Sequence, residues 1–110
     1  MSDKEKFNAL QLIRDAKKEV NEAIQSASGD RKKALEKLSN CFENIEGDLI
    51  ASALDDKIAQ LQRYKTQLES VNSEIEKDMK ELKAVADKVA VAAEALGKLI
   101  DVIGKLTNLP

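Results

Sequence analysis

An apolar residue recurs at every seventh position through the second half of the chain, and this repeat constrains the fold more than any other feature. Its members are Leu54, Leu61, Leu68, Ile75, Leu82, Val89, Leu96 and Ile103. A seven-residue apolar period is the pattern of an α-helix that buries one stripe against other helices. Because neither Gly nor Pro interrupts residues 48–96, the spacing predicts a helix over about 55–106, roughly 78 Å long at 1.5 Å per residue.

The positions beside this stripe widen the apolar face. Several residues three or four places after a stripe residue are apolar too, among them Val71, Met79, Ala86, Leu99 and Ile100. Such a wide face is typical of a helix in a bundle rather than in a two-stranded zipper. Lys65 and Asn72 are polar exceptions. If buried, they would fix the register of the helices; if exposed, they would mark a stretch where no neighbour packs.

Two shorter amphipathic helices precede the repeat. The first is predicted over about residues 3–27, with an apolar face that begins at Phe7. A tight turn follows, in which Gly29 takes a left-handed conformation and Asp30 caps a second helix over about 30–53. So short a connection makes the two helices antiparallel neighbours. The apolar phase then shifts between residues 47 and 56, which favours a break before the third helix.

The chain is therefore predicted to be all-α, with one helical domain over residues 1–110. An antiparallel helical hairpin is laid along a long heptad-patterned helix, in a bundle or coiled-coil-like arrangement. The hairpin is too short to cover a helix of roughly 78 Å as one layer. Either the far end packs on another molecule, or the chain folds back near residues 70–73, where Ser73 and Glu76 have capping-box spacing. Because the seven-residue phase passes through that segment intact, we favour the unbroken helix.

The composition excludes most kinds of catalytic and metal-binding site. The 110 residues include no histidine and a single cysteine, Cys41, which excludes Ser-His-Asp and Cys-His nucleophile systems, His-rich zinc sites and intrachain disulfides. Cys41 lies in the apolar spacing of the second helix and is predicted to be a buried hydrophobe. Acidic residues over 74–81 alternate with lysines, which indicates a solvated face. We expect no enzyme activity, no metal and no cofactor.

Charge disfavours nucleic acid as a partner. Lys and Arg number 18 against 20 Asp and Glu, for a net charge of −2, and the densest basic patch, at residues 31–37, contains no aromatic residue. A membrane span is also not predicted, because no apolar run approaches the roughly 18 residues required. The first residues are charged from Asp3 onward and lack the apolar run of a signal peptide. We expect a cytoplasmic location, with signal-independent export left open.

Two functions fit these patterns. The first is a non-enzymatic interaction or scaffolding role, in which the chain binds itself or another helical protein along the stripe. The residues expected in that contact are Leu61, Leu68, Ile75, Leu82, Val89, Leu96 and Ile103.

The second is a membrane-active role, as in a component of a pore-forming system, in which amphipathic segment 84–106 is released onto lipid. The residues expected to face lipid are Leu99, Ile100, Ile103 and Leu106. The polar side of this segment carries as many acidic as basic residues, whereas helices that bind anionic membranes are rich in Lys and Arg. The interaction role is therefore favoured.

Overall fold

The computed structural model of the chain describes residues 3–50 and 54–107, and these ranges contain no β-strand. Most of this part of the chain forms four α-helices: α1 (Asp3–Ser26), α2 (Gly29–Ile50), α3 (Ile58–Asp78) and α4 (Lys83–Thr107). Short 3₁₀ turns precede α3 at Leu54–Lys57 and α4 at Lys80–Leu82. The predicted all-α class is confirmed. The predicted break before the third helix is confirmed as well, since Leu54–Lys57 forms a 3₁₀ turn and α3 begins at Ile58. The predicted end of the second helix near residue 53 lies outside the described residues.

The helices run alternately up and down, and each packs against two neighbours. α1 contacts α2 and α4, and α3 contacts the same two helices. Arg14 of α1 lies 3.0 Å from Glu46 of α2, and Lys17 lies 3.8 Å from the earlier Glu43, the reversed order that antiparallel helices require. Asn72 of α3 contacts Ala86 near the start of α4 in the same sense. The Cα atoms fill a rod of 50 × 20 × 18 Å.

The connection between α1 and α2 adopts the predicted tight turn. Gly29 has a φ of 62°, a left-handed conformation that glycine adopts without the steric cost of a Cβ. The amide of Ala27 donates to the carbonyl of Ile24 at 3.2 Å and closes the last turn of α1. The predicted antiparallel hairpin is therefore present.

The predicted unbroken helix over 55–106 is wrong, because the chain folds back at Met79. Met79 has φ −135° and ψ 61°, outside the helical region. Its amide donates to the carbonyl of Ile75 at 2.8 Å and ends α3. The amide of Leu82 then donates to the carbonyl of Met79 at 2.9 Å and forms the 3₁₀ turn into α4. The alternative fold-back at residues 70–73 is wrong in position, since that segment lies inside α3.

Folding back satisfies the apolar repeat within one chain. An unbroken helix would leave one end of the stripe in water, whereas the turn at Met79 lays α4 against α3. The turn loses a few helical hydrogen bonds, each worth about 1 kcal/mol net. Each Leu, Ile or Val that becomes fully buried contributes roughly 1.5–3 kcal/mol. Burial therefore outweighs the break, and Leu82 within the turn still packs against the core.

Aliphatic side chains fill the centre of the bundle, as the composition predicts. Phe42 adds an aromatic ring to this core and is fully buried. The other large side chains with no exposed surface include Ile13, Val20, Leu35, Leu38, Ile45, Leu49, Leu61, Leu68, Ile75 and Leu96. Phe7 departs from its predicted place on the apolar face of α1, since it is 64% exposed and Ala9 takes the inner position.

Candidate functional site

The residues predicted for partner binding form the α3–α4 part of the bundle core. Six of them are at most 3% exposed: Leu61, Leu68, Ile75, Val89, Leu96 and Ile103. Leu82, in the turn between the two helices, is partly buried against the same core. In this fold the stripe contacts the chain's own helices, so a partner reaches it only if the bundle opens. Periodicity reports burial, but it does not distinguish a neighbour in the same chain from one in another chain.

The residues predicted to face lipid belong to the same core. Leu99, Ile100 and Ile103 are buried, whereas the side chain of Leu106 lies outside the described part of the structure. The buried members of this set therefore do not meet solvent in the folded bundle. The side of α4 that is exposed carries other residues.

An apolar groove runs between α1 and α4 on the surface of the bundle. Val91, Ala95 and Val102 line its α4 side, and their spacing by four and seven residues places them on one face of the helix. Leu12 lines the α1 side. Val91 is 48% exposed and Leu12 is 37% exposed, and the groove has a volume of about 570 Å³. This apolar surface faces solvent in the part of the chain that the structure describes.

Small residues give this groove its depth, and charged residues border it. Ala9 of α1 and Ala95 of α4 leave room between the two backbones, and Glu5, Glu94 and Lys98 lie along the border. Glu94 and Lys98 pair at 3.4 Å with side chains 70% and 76% exposed. A pair this exposed contributes little to stability, so both charges can be redirected to a partner. An apolar centre with a polar rim is the usual composition of protein–protein contact surfaces.

The apolar repeat does not predict this groove, although the sequence carries one signal of it. Val91 and Val102 occupy positions that a heptad helix ordinarily gives to polar, solvent-facing residues. Whether they are covered depends on which sides of α4 its neighbours occupy. The positions of these neighbours are set by the geometry of the bundle. In this bundle α1 and α3 cover only part of the apolar arc of α4.

A second, more polar groove lies between α3 and α4. Asn72 is only 5% exposed there, and its side-chain amide donates to the backbone carbonyl of Ala86 at 3.0 Å. The side-chain oxygen of Asn72 accepts no hydrogen bond within the described ranges. Lys65 crosses over Gly97 and pairs with Glu69 at 3.2 Å. Asn72 therefore has the buried, register-fixing position that the sequence allowed for, while Lys65 lies at the edge of the groove.

The thiol of Cys41 is buried, as predicted. Its Sγ donates to the backbone carbonyl of Tyr64 at 3.4 Å. Burial raises the pKa of the thiol from 9.0 to about 11, so the neutral form dominates at pH 7 and the nucleophilic thiolate is scarce. In the ranges that the structure describes, no three Cys, Asp or Glu side chains converge on a metal-sized site.

A small ionic cluster joins α1 to α2. Arg14 and Lys17 lie 3.0 and 3.3 Å from carboxylate oxygens of Glu46. Burial alone would raise the pKa of Glu46, but the hydrogen bonds from Arg14 and Lys17 outweigh it and hold the pKa below its ordinary value. The carboxylate is therefore ionised at neutral pH, and the cluster acts as a link between two helices.

Comparison of the chain with protein-family models, with curated proteins and with solved structures finds no match. None of the helices in the described ranges is both long and apolar enough to cross a membrane. Function is therefore inferred from the surfaces of the bundle itself.

Proposed function

We propose that the chain is a non-enzymatic interaction protein that binds an α-helix of a partner in the groove between α1 and α4. The observation that carries this proposal is the exposure of Val91 and Leu12 on facing sides of one groove. Phe7 and Ile50 are also exposed, but they do not line the groove.

A partner helix would remove the apolar surface of the groove from water. Burial stabilises by roughly 25 cal/mol per Å² of apolar area. Amphipathic helices dock in such grooves through side chains at three-, four- and seven-residue steps. Val91, Ala95 and Val102 form a ridge at matching spacing, against which a partner's ridge can interlock. Charges of both signs at the rim, Glu94 and Lys98, suit a partner helix that is itself flanked by mixed charges.

The buried core of the bundle supports this role by fixing the walls of the groove. Ile13 anchors α1 and Leu96 anchors α4, each with no exposed surface. The groove is therefore formed before binding, which lowers the entropic cost of ordering it. Partner packing along the stripe itself, through Leu68 or Val89, would require the bundle to open and lose its core contacts. The groove is the better-supported surface.

Binding of a labelled helical peptide tests the proposal. The probe is a fluorescein-labelled peptide of roughly three heptads, with Leu at alternating three- and four-residue steps in an Ala, Lys and Glu background. Fluorescence anisotropy reports its binding. Val91→Glu places a charge in the groove and is expected to weaken binding by about tenfold or more. The matched control Ile50→Glu makes a comparable change outside the groove, and its Kd is expected to stay within about twofold of the parent's.

Equal binding by the parent chain and Val91→Glu would contradict the proposal, and so would an absence of binding by both. Circular dichroism and urea unfolding separate loss of the groove from loss of the fold. Both substituted positions are exposed, so both variants are expected to unfold at the urea concentration of the parent protein.

A second candidate function, membrane activity, is favoured by the distribution of apolar residues on α4. Val91 and Val102 line the groove, while Ile100 and Ile103 are buried on another side of the helix, so only a narrow arc of α4 is polar. If α4 left the bundle, it would lie in a bilayer interface with Leu99, Ile100 and Ile103 toward lipid.

Vesicle flotation tests this second candidate. The vesicles contain phosphatidylcholine with or without anionic phosphatidylglycerol. Apolar insertion is expected to persist at about 1 M salt, where electrostatic binding is screened. Leu99→Asp loosens the bundle, which by itself would expose apolar surface and increase flotation. The same change removes an apolar side chain that would contact lipid. Reduced flotation of this variant would therefore indicate insertion by α4 rather than general unfolding. Protein that stays unbound at every lipid composition and salt concentration would dismiss membrane activity.

A further inference from the structure

We propose that the occupant of the groove is a second copy of this chain, docked with the two α4 helices antiparallel about a twofold axis near Leu96. This inference rests on the proposed function, because it assigns a partner to the same surface. In the dimer, Val91, Ala95 and Val102 of one copy face the same residues of the other. Leu12 of each copy borders the other copy's α4.

The exposed side of α4 combines an apolar ridge with a row of charges along one edge, and the exposed Lys88 lies on the other edge. At about 100° of rotation per residue, Val91, Ala95 and Val102 fall within an arc of about 40°. Along one edge of this arc, within about 60° of Val91, lie four charged residues. They are Asp87, Glu94, Lys98 and Lys105.

These four charges are arranged symmetrically about Leu96, with opposite signs on the two sides. Asp87 lies nine residues before Leu96 and Lys105 lies nine residues after it. Glu94 lies two residues before Leu96 and Lys98 lies two residues after it. In an antiparallel pair related by a twofold axis, positions equally distant from the axis face one another along the same edge. An axis at Leu96 therefore places each acid of one copy opposite a base of the other.

The same axis aligns the apolar ridge. Val91 and Val102 are equidistant from the midpoint between Leu96 and Gly97, half a residue from the centre of the charge pattern. One docking geometry thus pairs valine with valine and acid with base. Each heterotypic contact occurs twice in a twofold dimer, so the pattern offers four ion pairs between the copies.

Parallel docking of α4 on α4 lacks this match. A twofold axis along the helices would place the charged edge of one copy opposite the other edge of its partner's ridge. That edge carries Lys88 and no acidic residue, so Lys98 and Lys105 would find no acid there. The charges are also free to rearrange, because their present partners within α4 are weak. Asp87 pairs with Lys83 at 3.4 Å with side chains 64% and 78% exposed, and exposed pairs of this kind are worth little.

The size of the surface sets the expected strength of the dimer. The area that one face of α4 and the neighbouring Leu12 can bury is smaller than the roughly 1,200–2,000 Å² buried in standard interfaces. We therefore expect a reversible dimer with a Kd between about 10 μM and 1 mM, in the range of weak protein complexes.

Sedimentation equilibrium over about 10 μM to 1 mM protein, under reducing conditions, measures this association. A pair of charge-reversed variants supplies the decisive comparison. Asp87→Lys/Glu94→Lys makes the edge wholly basic, and Lys98→Glu/Lys105→Glu makes it wholly acidic. Each variant alone is expected to associate at least about tenfold more weakly than the parent, and an equimolar mixture is expected to form a 1:1 heterodimer. Recovery in the mixture also shows that both variants are folded.

Two outcomes would overturn the inference. One is a parent chain that stays monomeric up to about 1 mM. If the helical peptide still binds this monomer and the binding depends on Val91, the proposed function survives and only the second copy is excluded as the occupant. The other is a dimer that neither Val91→Glu nor the charge reversals weaken, because it would use a different face. Loss of both peptide binding and association in the parent would count against the groove itself.

Discussion

The side-chain amide of Asn72 in α3 donates a hydrogen bond to the backbone carbonyl of Ala86 in α4 across 3.0 Å. Met79, where the chain reverses, lies seven residues from each of them. In an unbroken helix the two residues would be about 21 Å apart. The contact therefore exists only in the folded-back hairpin, and a slip of one residue between the helices would break it.

Substitution of Asn72 by Asp is expected to destabilise the bundle. Asp is close to isosteric with Asn, but at neutral pH it buries a charge and turns an acceptor toward the carbonyl of Ala86. The expected loss is about 2–4 kcal/mol in the free energy of unfolding, measured by urea unfolding at pH 7. The matched change Asn40→Asp, at an exposed position of α2, is expected to cost less than about 0.5 kcal/mol.

A second substitution, Asn72→Leu, tests the cost of the unpartnered side-chain oxygen. Asn72→Leu removes that oxygen together with the donor, so it is expected to stay within about 1 kcal/mol of the parent protein. Identical unfolding curves for the parent and Asn72→Asp would contradict the buried position of this side chain.

The reversal at Met79 can be measured directly as a distance. Gln62 of α3 and Asp101 of α4 line the same surface hollow, whereas an unbroken helix would separate them by about 58 Å. With spin labels at Gln62→Cys and Asp101→Cys in a Cys41→Ala background, we expect a distance of roughly 20 Å, an interaxial spacing of about 10 Å plus two label arms.

A domain-swapped dimer with an extended α3–α4 helix would give a different distance distribution. Dilution of doubly labelled chains with unlabelled chains keeps the short distance if it arises within one chain. A main distance near 58 Å would instead restore the unbroken helix and refute the turn.

The sequence is informative where local chemistry sets the structure. Gly29 identifies the α1–α2 turn because a left-handed backbone and a short polar linker are local properties. The apolar periodicity likewise identifies the buried faces of α3 and α4. The turn at Met79 has no such signal, since its neighbours are good helix formers and the step from Ile75 to Leu82 keeps the seven-residue phase.

The groove could not be predicted for a related reason. Val91 is exposed because α1 and α3 cover other sides of α4, and this follows from the fold-back that periodicity did not reveal. A chain with an unbroken third helix would leave the stripe residues themselves, such as Leu68 and Val89, for a partner. The same sequence pattern thus fits two different binding surfaces, and the position of one turn selects between them.

The stability of the bundle is expected to fall at alkaline pH partly through Cys41. Burial raises the pKa of this thiol from 9.0 to about 11. Below pH 9 the thiol is neutral in both the folded and the unfolded chain, so its contribution to the free energy of unfolding is fully present. Above that pH the unfolded chain loses the proton first, and stability declines until the pH passes the folded pKa. The shift corresponds to roughly 2–3 kcal/mol.

Comparison with Cys41→Ala isolates this contribution, because the two proteins differ only in the thiol. The difference in unfolding free energy between the two is expected to shrink as the pH rises from 9 to 11. A difference that stays constant over this interval would refute the perturbed thiol. At pH 8 the native thiol is also expected to react slowly with a disulfide reagent and rapidly once urea unfolds the chain.

Alanine substitutions at Gly47 and Gly29 are expected to have opposite effects on stability. Apart from the chain neighbours and the backbone of the glycine's own helix, no atom lies within 4 Å of a Cβ at either glycine, so steric clash does not separate the two positions. Gly47 lies inside α2, where Gly→Ala is expected to stabilise by about 1 kcal/mol through helix propensity. Gly29 has a φ of 62°, where a Cβ costs roughly 1–2 kcal/mol.

Urea unfolding of the two variants tests this difference in sign. Gly29→Asn should lose less stability than Gly29→Ala, because asparagine tolerates the left-handed region better. A loss of stability in Gly47→Ala would mean that α2 is interrupted at that point, as the shift in apolar phase between 47 and 56 alone would allow. A gain in Gly29→Ala would mean that α1 continues through the turn, and the hairpin that forms one wall of the groove would then be absent.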